Sequence, residues 1–207
     1  MGTELAFYEC LKLLAPKVTD ELVVTSVGGV GREWYNLRPS DGNLYQTYMA
    51  GCTAIALGVA IALPHRKVIS LDTDGSMLMG STILPAIAKY SPANLIVIVS
   101  DNECYDATDK IPTFTASVAD LEGIARESGL KKARSVRTLA DFQEALDDAY
   151  EATEPSFIVV KAKADYASVP FYVLDSIENK YRFVRYIEKT ENKQIFRPPL
   201  FKVPGLK

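Results

Sequence analysis

The chain has 207 residues, 48% hydrophobic and 24% charged, the profile of an ordinary globular protein able to bury one sizeable core. Its net charge of −3 argues against a nucleic-acid binder, which carries a basic patch; the longest apolar run, residues 54–64 (AIALGVAIALP), is too short to span a bilayer. Three widely spaced cysteines (Cys10, Cys52, Cys104) and one histidine, His65 in a polar turn, exclude a disulfide framework, a zinc or iron–sulfur ligand set and a histidine-centred triad, and fit a cytoplasmic chain.

From the amino terminus, residues 1–17 mix acids with apolar positions and predict an amphipathic helix, not a secretory leader. Short apolar runs follow at 22–25 (LVVT), 68–71 (VISL), 95–99 (LIVIV) and 157–160 (FIVV), the mark of buried parallel strands. Between them, residues 48–63, 77–90, 118–128 and 139–152 are each long enough for a crossover helix, and 133–136 is a candidate short strand. The pattern predicts an α/β fold: a mostly parallel central sheet of about five or six strands with helices on both faces. Right-handed crossovers put the loops at 26–33, 72–77 and 101–113 along one edge of that sheet, where ligands bind. Past Asp165 the chain changes character. Tyr166, Phe171, Tyr172, Tyr181, Phe183, Tyr186 and Phe196 alternate with charges and lead to Arg197-Pro198-Pro199. The division expected is a domain over 1–165 and an extension over 166–207, which either wraps a neighbouring subunit or lies on its own domain.

The chemistry concentrates at two strand ends. Asp72-Thr73-Asp74-Gly75-Ser76 follows one apolar run and Ser100-Asp101-Asn102 follows the next, so a carboxylate and a carboxamide point into one crevice. Asp74 and Asn102 are hard oxygen donors, and a small donor set that leaves positions for phosphate oxygens suits magnesium. Gly75 permits close approach of a phosphate, Ser76 offers a hydroxyl, and the following helix offers its first amides.

Asp74-Gly75-Ser76 followed by 25 residues and then Asn102 resembles the motif of thiamine-diphosphate enzymes: Gly-Asp-Gly, a spacer in the mid-twenties, then Asn. Thr25 to Glu33 (TSVGGVGRE) is similar to the first loop of the sulfopyruvate and phosphonopyruvate decarboxylases, and 101–113 and 120–129 resemble their downstream segments; residues 1–165 are covered. The resemblance implies the thiamine-diphosphate-binding fold of a diphosphate-anchoring domain. It makes Asp74, Asn102 and the main-chain carbonyl of Cys104 the magnesium ligands. Gly28, Gly29, Thr47, Tyr48, Met49, Gly75 and Ser76 line the cofactor, with Met49 as the apolar wedge under it. Arg32, Tyr105 and Lys110 are candidates for the substrate.

The same resemblance implies decarboxylation of a small 2-oxo acid, sulfopyruvate- or phosphonopyruvate-like, with the cofactor as electron sink. No catalytic residue is assigned in this chain, because the family's catalytic glutamate lies on a pyrimidine-binding domain. An α-type partner subunit would supply it, in a hetero-oligomer such as α2β2 or larger. A carboligase or synthase subunit, a non-catalytic regulatory subunit and, more weakly, a ferredoxin-linked oxidoreductase subunit are the alternatives. Four positions depart from the pattern: Thr73 replaces the first motif glycine, Gly31 stands where these decarboxylases have serine, Glu103 follows Asn102 where glycine is common, and Pro85 lies inside the expected helix after the motif.

Overall fold

The structure, a computed structural model, describes residues 5–196 except 171 and 173. Residues 1–4 of the expected first helix, Phe171 and Arg197-Pro198-Pro199 lie outside the described residues. In chain order the elements are α1 (Phe7–Leu14), β1 (Leu22–Ser26), α2 (Gly29–Leu37), β2 (Asn43–Thr47), α3 (Cys52–Ala62), β3 (Val68–Thr73), α4 (Asp74–Met79), α5 (Leu84–Tyr90), β4 (Leu95–Asp101), β5 (Cys104–Tyr105), β6 (Ile111–Pro112), α6 (Leu121–Glu127), β7 (Lys132–Val136), α7 (Leu139–Glu151), β8 (Ser156–Lys161) and α8 (Ser176–Glu191). Six strands form one sheet in the order β2-β1-β3-β4-β8-β7, parallel throughout. β5 and β6 make a small antiparallel hairpin.

The sheet is buried on both sides, and the period-2 alternation of each strand sorts its residues between two layers. Leu22, Val24, Leu95, Val97 and Val99 face the layer built by α3, α4, α5, α6 and α8. Val23, Ile69, Leu71, Ile96 and Ile98 face the layer built by α1, α2 and α7. Two helix starts come from polar caps: the Asp120 side chain accepts from the Glu122 amide and Thr138 from the Asp141 amide.

Three expectations change. The helix foreseen over 77–90 is two helices, α4 and α5, joined by a 3-10 turn; Pro85 sits in the first turn of α5, where its missing N–H costs nothing. The helix foreseen from residue 48 starts at Cys52, after the turn Tyr48–Gly51 closed by a backbone bond from Gly51 to the Tyr48 carbonyl. The stretch past Asp165, read as having little periodicity, contains the longest helix among the described residues, α8. Its buried stripe is Asn179, Phe183 and Ile187, an i, i+4, i+8 row too thin to stand out among its charges. Asp175 caps it, accepting from the Ile177 and Glu178 amides at 2.9 Å. Asn179 donates to the Tyr45 carbonyl at 2.8 Å and so covers the outer edge of β2. At the other end Arg66 reaches Thr190 at 2.7 Å and Glu191 at 3.2 Å. Tyr172 stacks on Tyr35 with ring centroids 3.8 Å apart. The described part of the extension therefore lies along its own domain. β2 and α2 had no forecast, since their apolar residues are few and the loop glycines mask the helix.

Candidate functional site

β1 and β3 are neighbours, yet the chain leaves β1 toward β2 on one side and β3 toward β4 on the other. The loops at their carboxyl ends diverge, which opens a crevice at this switch point. Two aspartates reach the end of β3, and hydrogen bonding separates them. Asp72 is occupied by the fold, accepting from the Thr53 hydroxyl at 2.7 Å and the Thr73 amide at 2.9 Å. Asp74, two residues on, opens α4 at the crevice and is only 1% exposed. Burial pushes its carboxyl up to about 6; hydrogen bonding from Thr113 opposes this and the charge of Asp101 adds to it.

The crevice, about 90 Å³, brings together Gly28, Met49, Asp74, Gly75, Cys104 and Tyr105 from four separate loops. Asn102 ends β4 beside it, buried, its amide oxygen accepting from the Cys104 N–H at 3.3 Å. Cys104 is the first residue of the β5–β6 hairpin. Ser76 is buried, with its hydroxyl oxygen accepting from the Ala50 amide at 3.0 Å. Thr47 donates to the Thr25 carbonyl at 2.8 Å, so its hydroxyl ties β2 to β1. Tyr48 is exposed at the rim. Arg32 lies half-buried on α2. Lys110 points elsewhere: it is exposed and donates to the Ala164 carbonyl at 2.7 Å. Among the described residues no group of three or more His, Cys, Asp or Glu side chains gathers to hold a metal; the carboxylates of Asp74 and Asp106 line the crevice, with the Asn102 amide oxygen beside it.

The departures from the family pattern acquire physical reasons. Thr73 is extended, with φ −123° and ψ 157°, a conformation that suits a β-branched side chain. Glu103 has φ +62°, left-handed backbone that explains why glycine is common there; its side chain points to solvent. A β-carbon at Gly31 would lie 2.8 Å from the Thr25 hydroxyl and 2.9 Å from the Gln46 amide. That amide clamps the first loop, accepting from the Gly28 N–H and donating to the Gly28 carbonyl, both at 3.0 Å. Gly31 thus makes room for Gln46. Gly75 and Gly29 are also crowded: the rings of Tyr105 and Tyr166 fill the space that a side chain at either position would need.

Sequence reasoning missed Gln46, Tyr166 and a buried chain of polar groups behind Asp74: Thr113, Thr115, Asp101 and Lys161. Only the adjacency of Asp101 to Asn102 hinted at the last group. Glu33 was missed as well. It is 1% exposed, one oxygen accepts from the Ala167 amide at 2.7 Å, and the other has no hydrogen-bond partner among the described residues. Burial pushes its carboxyl from 4.5 up to about 7, against the Ala167 amide and Arg32, with Asp165 and Asp106 adding to the rise.

Because the folded form holds this proton more tightly than the unfolded chain, the neutral carboxyl is fully tolerated below pH 4.5. The associated stability is lost as pH rises through about 7. Glu33→Gln keeps an acceptor for Ala167 and removes the ionisation. It is expected to gain on wild type from pH 4 to pH 8 by on the order of 2–3 kcal/mol, read from urea midpoints at the two values. A constant difference across that range would show that Glu33 does not titrate late.

The family described as "Thiamine pyrophosphate enzyme, C-terminal TPP binding domain" matches residues 31–160. A protein named sulfopyruvate decarboxylase subunit beta from Methanothermobacter thermautotrophicus is 34% identical over 180 residues, 86% of this chain and 94% of its own length. Its namesake from Methanococcus maripaludis is 30% identical over 90% of this chain and 100% of its own length. A phosphonopyruvate decarboxylase from Streptomyces viridochromogenes is 33% identical over 71% of this chain and 37% of its own. Among solved structures, a thiamine diphosphate-dependent 4-hydroxybenzoylformate decarboxylase from Rhodococcus jostii RHA1 superposes with a TM-score of 0.65 at 21% identity, covering 81% of this chain and 34% of that one. A putative thiamin diphosphate-dependent enzyme from Mycobacterium smegmatis gives 0.69 at 17% identity, over 78% of this chain and 32% of that one. The chain spans about a third of these solved chains, and at such identities they share its fold.

Proposed function

The chain belongs to the thiamine pyrophosphate enzymes, matching their C-terminal TPP-binding domain, and from that premise we propose that it is the diphosphate- and magnesium-anchoring subunit of a heteromeric thiamine-diphosphate-dependent 2-oxo acid decarboxylase. The observation that carries this reading is that Asp74, which lines the crevice of the switch point, and the buried Asn102, bonded to the crevice residue Cys104, follow directly on the adjacent strands β3 and β4. Both present hard oxygen donors, and a desolvated carboxylate beside an amide oxygen fits a divalent cation that keeps positions for phosphate. The residues therefore fit the cofactor. Asp74, Asn102 and the Cys104 carbonyl would hold the cation, Gly28 and Gly75 would border the diphosphate, and Met49 would support the rings. When bound, thiamine diphosphate supplies the electron sink for decarboxylation. The chain's own residues orient it and exclude water.

Two further observations support a separate partner. The relatives named as beta subunits align over 94% and 100% of their length, whereas a one-chain sulfopyruvate decarboxylase from Methanosarcina acetivorans aligns over 44% of its own. On the segments that carry the crevice residues and on the stretch that follows the β5–β6 hairpin, Tyr48, Met79, Ile111, Phe114 and Val118 are exposed by 57–84%, apolar surface suited to burial under another chain. An α-type subunit docked there would contribute the catalytic glutamate. The substrate is a small 2-oxo acid, sulfopyruvate- or phosphonopyruvate-like.

Thermal unfolding of this chain with its candidate partner tests the reading. Thiamine diphosphate and Mg²⁺ at 100 times their dissociation constants should add about 2.7 kcal/mol, roughly 5–10 °C in Tm. Asp74→Ala is expected to abolish that shift. Its absence in wild type would refute cofactor binding, and its persistence in Asp74→Ala would refute the cation assignment.

A further inference from the structure

Behind Asp74 runs a closed relay of buried polar groups that the reading above does not use. The Thr113 hydroxyl lies 2.6 Å from Asp74 Oδ2. Thr115 lies 2.8 Å from Thr113, 3.1 Å from Asp74 Oδ2 and 2.7 Å from Asp101 Oδ1. The other oxygen of Asp101 meets Lys161 Nζ at 2.5 Å. Asp74, Asp101, Thr113 and Thr115 are all at most 7% exposed. Each hydroxyl has one proton to give, and the shortest contacts assign that of Thr113 to Asp74 and that of Thr115 to Asp101.

Backbone geometry makes this relay part of the cation site's own frame. Asp101 and Lys161 are paired across β4 and β8, two central strands that cannot shift without breaking the sheet. Thr113 arrives from the hairpin that carries Cys104: its amide donates to the Glu103 carbonyl at 3.0 Å, and Pro112 pairs with Cys104 in the β5–β6 register. One short segment, 102–115, thus supplies both Asn102 and the hydroxyls that grip Asp74. The terminal torsion of an aspartate is broad and weakly restrained by itself. The Thr113 hydroxyl donating to Oδ2 sets the plane of the carboxylate and with it the direction in which the group faces the crevice, while Thr115, donating to Asp101 and in contact with Thr113, limits where that hydroxyl can sit.

We propose that Thr113 and Thr115 are positioning residues for the cation: Thr113 fixes the Asp74 carboxylate, Thr115, held by Asp101, packs Thr113 against the Asp101–Lys161 pair, and together they set the site's affinity for a divalent metal. The proposal rests on Asp74 being a ligand. Outer partners of metal-binding carboxylates typically govern affinity by 10- to 100-fold, and that is the change expected here. Substitution by valine keeps the shape and removes the hydroxyl; serine keeps the hydroxyl.

The experiment titrates Mg²⁺ against thermal stability of the chain with its partner, at saturating thiamine diphosphate. It reads the cation concentration that gives half of the full shift. For Thr113→Val and Thr115→Val this concentration should rise by about 10- to 100-fold, with the larger rise at 113. Thr113→Ser should stay within about threefold of wild type, as the retained hydroxyl keeps the carboxylate in place. If either valine variant does not fold, Thr113→Ala and Thr115→Ala take its place in the titration. A half-point unchanged in folded variants, with only the unliganded Tm lowered, overturns the proposal, because the threonines would then serve stability alone. The absence of any Mg²⁺-dependent shift in wild type would instead overturn the cation site itself, so the two failures are distinguishable.

Discussion

Lys161→Met is expected to cost about 3–5 kcal/mol of stability, because it strands a buried carboxylate. Asp101 is fully buried and its only cationic partner among the described residues is Lys161, itself 12% exposed at the side chain. Removing the ammonium leaves Thr115 as the remaining donor named to that carboxylate, too little to offset the desolvation of a full charge. For a chain of this size the loss corresponds to roughly 6–20 °C in Tm. The companion variant makes the reason testable: adding Asp101→Asn to Lys161→Met removes the stranded charge while keeping an acceptor for Thr115, and should recover most of the loss. Guanidinium unfolding of the two single variants and the double variant closes the cycle. Additive losses would mean that the two side chains do not act as a pair, and the frame behind Asp74 would have to be sought elsewhere.

Trp34→Ala is expected to cost a similar 3–5 kcal/mol, by a different route. Trp34 is the only tryptophan, is fully buried, and packs α2 against the layer of α1 and α7. Truncation leaves a large cavity under the helix that carries Arg32 and Glu33 and follows the Gly28 turn. Trp34→Phe should cost much less. It keeps most of the apolar volume, and the indole N–H it removes has no hydrogen-bond partner among the described residues, so no bond to them is lost. Circular dichroism during urea unfolding reads both variants without depending on the tryptophan signal. A cost below about 1 kcal/mol for Trp34→Ala would show that this layer collapses around the loss.

The legible parts of the fold were those whose apolar pattern is dense. β1, β3, β4 and β8 are buried along almost every residue, so their runs of Val, Ile and Leu stood out. β2, an edge strand with burial that alternates, and α8, with three buried residues in sixteen, did not. The placing of Asp74 and Asn102 just past two successive strands was legible through spacing, since it is a statement about sequence distance. Thr113 and Thr115 were not, because nothing in the chain says that a hairpin returns them beneath an aspartate about forty residues earlier. Glu33 stood in the sequence only as the last residue of the first glycine loop; its burial is what raises its carboxyl.

By itself the sequence determined the α/β class, the succession along the chain of four buried parallel strands, and the placing of Asp74 and Asn102 just past two of them. These depend on local periodicity and on fixed spacing along the chain. The tertiary structure alone decided which of Asp72 and Asp74 serves the fold and which faces the crevice. It also decided that Gly31 makes room for Gln46, and that the described part of the extension after Asp165 lies back along its own domain. Each of those outcomes is a competition among groups far apart in sequence for one partner or one volume, and such competitions are settled only where the chain has folded them together.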